Sequence, residues 1–91
     1  MLRGVPPQPA YQVRIGAYGG RWLMVARANS GADRDVVEGT EFIIRRDGYP
    51  LVRAVVVQVK EHMSVCEIIP GTWSDAQATI KEGDEAAALK R

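Results

Sequence analysis

The feature that most constrains this chain is the dipeptide Asp47-Gly48, set between two apolar runs. A tight primed turn needs positive φ, which Gly supplies without steric cost, so Asp-Gly in this setting marks a β-hairpin. Upstream, Phe42-Ile43-Ile44 is the aromatic and β-branched composition that strands favour. Downstream, the run 51–59 (LVRAVVVQV) carries five valines and is too β-branched for a comfortable helix. Leu51, Val55, Val57 and Val59 share one parity, while Val52, Ala54 and Val56 share the other. A half-exposed strand alternates and a doubly buried one is apolar on both parities. This mixture predicts a long, strongly curved strand that passes from one part of a closed sheet to another. Pro50 has no amide proton and belongs at a strand start or an edge. After the polar break Lys60-Glu61-His62, residues Ser64 to Ile69 read as an antiparallel neighbour, stopped by Pro70-Gly71.

Around this stretch the rest of the chain adds shorter strands. Tyr11 to Ala17 alternates, with Tyr11, Val13, Ile15 and Ala17 on one face, and predicts a half-buried strand. Gly19-Gly20 marks a hairpin turn, and Arg21 to Arg27 is the return strand. Ala28 to Asp35 is the longest interior polar loop. Near the C-terminus two signals conflict. Ser74-Asp75-Ala76-Gln77 fits a capping box for a short helical turn near 75–82, ended by Gly83. Yet Ile80-Lys81-Glu82-Gly83-Asp84-Glu85 echoes Val36-Val37-Glu38-Gly39-Thr40-Glu41, and the earlier copy leads into a strand. The echo argues for a final strand over 85–89 in spite of the poor β propensity of Ala86-Ala87-Ala88. The reading is all-β: a small six-stranded antiparallel barrel, SH3-like or RIFT-like. Its small alanines suggest that the last strand is the edge most open to an added strand.

At 91 residues the chain is one domain, with 1–10 a Pro-rich flexible lead-in and 11–91 the barrel. A net charge of +1 excludes the strongly basic signature of a dedicated nucleic-acid binder. The single cysteine, Cys66, excludes an internal disulfide framework. No run reaches the length of a membrane-spanning helix, and no signal peptide is evident. The expected compartment is the cytoplasm if Met1 is the native start, and the envelope if the chain is an excised domain.

No catalytic, cofactor or metal constellation emerges. His62 lacks partners at ligand spacing and reads as a turn residue. Cys66 in a strand beside Val65 reads as a small buried hydrophobe. Asp33-Arg34-Asp35 offers too few oxygen ligands for a cation site. Arg14, Arg21, Arg27, Arg45, Arg46 and Arg53 lie on or beside strands, with Tyr11, Tyr18, Trp22, Tyr49 and Trp73 available for stacking. Arginine suits planar contacts to phosphate, carboxylate or rings. The candidate binding surface is Arg45, Arg46, Arg53, Tyr49 and Trp73.

Four segments in order carry a resemblance: 37–48 (VEGTEFIIRRDG), 55–59 (VVVQV), 64–68 (SVCEI) and 80–84 (IKEGD). Together they resemble the small bacterial β-barrel domain typified by the C-terminal domain of flagellar assembly protein T, and envelope-associated domains of similar pattern. The resemblance spans about Tyr11 to Leu89. The chain departs from the pattern in its longer 28–35 loop and in Thr40, where Asp is usual. The motifs are turn and strand patterns, so they speak to fold. They imply a non-catalytic barrel that packs against partner domains, and they supply no site residues. The expected function is a non-enzymatic interaction module of a larger assembly, with a protein partner. The alternative is a single-stranded nucleic-acid-binding barrel, distinguished by arginines clustered on one face with exposed aromatics.

Overall fold

A computed structural model describes residues 11–18, 21–27 and 36–89, with the backbone alone at 16–18 and 27. The lead-in 1–10, the Gly19-Gly20 turn and the 28–35 loop lie outside the described residues. Six strands follow in order: β1 (Tyr11–Tyr18), β2 (Trp22–Arg27), β3 (Glu41–Arg46), β4 (Tyr49–Val59), β5 (Ser64–Ile68) and β6 (Glu85–Ala88). All pair antiparallel and close into a barrel in the order β1-β2-β5-β4-β3-β6.

The Asp47-Gly48 hairpin forms as expected. Asp47 has φ 53° and Gly48 φ 84°, the double positive φ of a type I′ turn. β4 is the long curved strand that its double-parity valines predicted. Its first part, through Val55, pairs with β3, and its second, from Ala54 to Val59, pairs with β5. Register shifts between Ile44 and Arg45 and between Val56 and Gln58 bend the ladder, as closing so small a sheet requires. Even positions of β3, β4, β5 and β6 point inward: Phe42 and Ile44, Val52, Ala54 and Val56, Cys66 and Ile68, Ala86. Odd positions Leu23 and Val25 of β2 and Tyr11 and Val13 of β1 complete the core. The Tyr11 and Phe42 rings meet at 5.3 Å between centroids, tilted by 57°, a favourable aromatic geometry.

The echo in the sequence is a repeat in the structure. In each copy the glycine takes positive φ, 92° at Gly39 and 95° at Gly83, open to Gly at little cost. Gly39 N–H donates to the Val56 carbonyl, and Val56 N–H donates back to the Thr40 carbonyl, both at 2.8 Å. Gly83 N–H donates to the Val13 carbonyl at 2.7 Å, and Val13 N–H donates back to Asp84 at 2.8 Å. Each turn is tied off by the side chain that follows its glycine. Thr40 Oγ1 accepts from Val37 N–H at 3.2 Å, and Asp84 Oδ2 from Lys81 N–H at 2.8 Å. β3 and β6 then pair with each other, Ile43 opposite Ala87. The barrel is thus two similar halves about a pseudo-two-fold axis, one made of β3, β4 and β5 and the other of β6, β1 and β2.

Two expectations are corrected. The segment 75–82 holds no helical turn. Asp75 Oδ1 accepts from Gln77 N–H at 3.0 Å and its carbonyl from Ala78 N–H at 3.0 Å, which closes one β-turn. Ile80 then packs on the core and draws the segment across the barrel, and Gly83 serves the second turn rather than a helix end. β6 is also not an open edge: β1 flanks it on one side and β3 on the other. Its alanines suit that place, because Ala86 is buried opposite both Tyr11 and Ile44 and a larger side chain would compete with them for the interior.

Candidate interaction surface

The five side chains singled out from the sequence do not act together. Arg45 stands opposite Glu85 in the β3–β6 register and forms an ion pair with it. Arg46 makes a two-pronged contact with Asp84, Nε to Oδ1 and Nη2 to Oδ2, each at 2.8 Å. Arg46 Nη2 also donates to the Thr79 carbonyl at 2.8 Å. Paired fork-to-fork geometry of this kind is strong and directional. Asp84 is 6% exposed. Burial by itself would raise its carboxyl. The bond from Arg46, the Lys81 N–H and the nearby positive charges outweigh that, and hold it below the usual carboxylate range. The same bond raises the Arg46 guanidinium above its ordinary value. These two arginines, each about a third exposed, join the halves of the barrel through carboxylates of the opposite half. Arg21 likewise pairs with Glu67 at 3.0 Å, and its guanidinium lies 5.7 Å from the Trp22 ring centre.

Trp73 packs against the core. Tyr49 is 74% exposed at the hairpin end of β4. Arg53 is exposed on the outer face of β4, and among the described residues its guanidinium has no carboxylate partner.

Arg53 lines a surface groove of about 330 Å³, with Ile43, Pro50, Leu51, Thr72 and Ser74. The groove arises because β5 ends at Ile68 while β4 runs on toward its hairpin. The chain after β5 covers this unpaired flank of β4. Ile69 N–H donates to the Arg53 carbonyl at 3.0 Å, and Ser74 N–H to the Leu51 carbonyl at 2.8 Å. Thr72 Oγ1 accepts from Arg53 N–H at 3.1 Å and donates to the Ile69 carbonyl at 2.7 Å. Gly71, at φ 80°, lets the segment turn back tightly after Pro70. The residues 69–74 thereby form a fixed wall beside the outer face of β4.

Sequence reasoning missed the groove but held its signal. The outward parity of β4 is apolar at Leu51, Val55, Val57 and Val59, where a solvated strand would be polar. Val57 and Trp22, each 37% exposed, extend this apolar exterior over the β2–β5–β4 face. Met24 stands opposite Val65 between them.

His62 is exposed in the β4–β5 connection. Cys66 is buried, and burial pushes its thiol up to about 12, so it is a packing residue. Among the described residues no three His, Cys, Asp or Glu side chains gather to hold a metal ion. Among them, too, no helix is long and apolar enough to cross a membrane. Comparison of the chain with protein-family models, curated proteins and solved structures returned no match. The architecture is that of a small closed six-stranded β-barrel, with a groove on its wall where apolar side chains meet Arg53, Thr72 and Ser74.

Proposed function

We propose that this chain is a non-enzymatic β-barrel module that docks a protein partner within a larger assembly. The observation that carries the proposal is the apolar exterior. The core is complete inside the closed barrel, yet Trp22 on β2 and Val57 and Val59 on β4 stand exposed on its wall. Apolar side chains grouped outside a finished core are the usual mark of a protein contact. The charges favour the same reading over nucleic acid. Arg21, Arg45 and Arg46 are neutralised by Glu67, Glu85 and Asp84, and counterion-driven affinity needs a concentrated unpaired basic patch. The resemblance of the turn and strand motifs to the flagellar assembly domain supports a bacterial envelope assembly as the setting.

A photo-reactive amino acid placed singly at Tyr49, Val57 and Glu82 in the producing cells tests this. Glu82 is exposed in a turn away from the apolar strands. Protein adducts should form from Tyr49 or Val57 and not from Glu82. The identified protein, once purified, should bind the chain with the same dependence. Adducts to nucleic acid, or none from any position, would defeat the proposal.

A further inference from the structure

We infer that the groove beside β4 takes an extended peptide segment in which an acidic residue is flanked by apolar ones. The inference rests on the docking function proposed above and names the chemistry of the partner at one place. Three features of the groove support it. Its lining is uncharged apart from Arg53, so the only charge complement it offers is to an anion. The guanidinium has no carboxylate partner among the described residues, unlike those of Arg45 and Arg46. An arginine in this state presents a planar fork matched to a carboxylate. On either side of it, Ile43, Pro50 and Leu51 supply apolar surface rather than the stacked rings that would receive bases.

The walls are also built to keep their shape. Arg53 is held at its N–H and its carbonyl, and Leu51 at its carbonyl, by the 69–74 segment. A rigid receptor loses little freedom on binding, which favours a short peptide that would otherwise bind weakly. With a carboxylate on Arg53, the side chains two residues before and after it share its face of the extended peptide and would meet Leu51 and Pro50 along β4 or Ile43 across it. Ile43 lies directly opposite Arg53 in the β3–β4 register. Cross-strand neighbours of this kind are about 5 Å apart, and side chains on one face of an extended peptide are about 7 Å apart, so one that follows the carboxylate on the same face can reach Ile43. A nucleic acid would instead require several unpaired cations in a row, and the neighbouring β3 arginines are engaged.

The test is a titration of the full-length, ¹⁵N-labelled chain followed by NMR. The probe is a pool of terminally blocked pentapeptides with Leu, Glu and Leu fixed at positions one, three and five, on one face of the extended chain, and the other two positions randomised. A matched pool has Gln for Glu. The Glu pool should shift the amides of Leu51, Arg53, Thr72 and Ser74, and the Gln pool should bind about tenfold more weakly, as loss of one charge-assisted contact implies. Arg53→Gln should abolish the difference between pools, and Arg14→Gln, at an exposed position on β1, should leave it. Leu51→Ser should weaken both pools equally. Equal binding of the two pools to the native chain, or no shift at millimolar peptide, would overturn the inference. Shifts confined to β2 and β5 would overturn it as well, while leaving the wider docking function standing. Shifts of the Arg53 region by oligothymidylate but not by either pool would defeat both.

Discussion

Replacing Asp84 should destabilise the barrel far more than replacing Thr40, its counterpart in the other half. The two side chains hold equivalent places after Gly83 and Gly39. Thr40 accepts one hydrogen bond at 3.2 Å in an exposed turn. Its loss should cost about 0.5 kcal/mol, the low end for a neutral bond open to water. Asp84 accepts two charge-assisted bonds from Arg46 and one from Lys81 N–H, all at 2.8 Å, and is itself buried. Truncating one partner of a deeply buried pair costs about 3–5 kcal/mol. Here Arg46 is 35% exposed, so water can take up part of the freed charge. That moves the expected cost of Asp84→Ala to about 2–3 kcal/mol. A domain of this size has about 5–10 kcal/mol in all. The assay is urea unfolding followed by fluorescence of Trp22 and Trp73. With a slope of about 1 kcal/mol per molar urea, the midpoint should fall by about 2–3 M for Asp84→Ala and by about 0.5 M for Thr40→Ala. Arg46→Ala combined with Asp84→Ala should be less harmful than the two single losses added together. Equal midpoints for the Thr40 and Asp84 variants, or strict additivity with Arg46→Ala, would refute the reasoning.

Further predictions concern pH, the buried thiol and the hairpin turn. Because the folded Asp84 carboxyl lies below its ordinary value of 3.8, its contribution is present above that value and lost as pH falls through the folded one. Stability should drop below about pH 4, and Asp84→Asn should flatten this limb of an acid titration followed by circular dichroism. Cys66, buried and with its thiol pushed up to about 12, should resist a thiol reagent at pH 8 until urea unfolds the chain. Rapid labelling of the native protein would contradict its place in the core. Asp47→Val should cost about 1–2 kcal/mol in the same urea assay, because a β-branched residue resists the left-handed conformation at φ 53°. Asp47→Asn should be nearly neutral, since Asn tolerates that region.

Local signals in the sequence were enough for the strands and the hairpin. Asp47-Gly48 set its own turn, and the valine-rich run announced a strand with two partners. The repeat between Val36–Glu41 and Ile80–Glu85 outweighed the weak β propensity of Ala86-Ala87-Ala88, because tertiary pairing on both sides of β6 decides its conformation. The capping-box pattern at 74–77 misled for a related reason. Asp75 can satisfy Gln77 N–H in an isolated turn as well as at a helix start, and the burial of Ile80 selects the turn. Barrel closure was legible in the two apolar parities of β4, but the β1–β6 pairing that completes it was not, since those strands lie far apart in the sequence. The roles of Arg45 and Arg46 were hidden for the same reason. Their carboxylate partners lie far along the chain, and nothing near either arginine in sequence marks the pairing. The groove was half legible: outward-facing Leu51 broke the alternation, but the wall of residues 69–74 depends on where β5 ends.

Arg21, Arg45 and Arg46 are paired with the barrel's own carboxylates, which leaves no concentrated basic patch beside Arg53, and the proposal is that the outer wall meets protein rather than nucleic acid. Fluorescence anisotropy of labelled single-stranded DNA and RNA, titrated with the purified chain at low and at physiological salt, tests it most directly. No saturable binding should appear at tens of micromolar protein, even at low salt, and Arg45→Ala or Arg46→Ala should change nothing beyond their effect on stability. Micromolar binding that weakens steeply with salt and is lost on Arg53→Gln would contradict it.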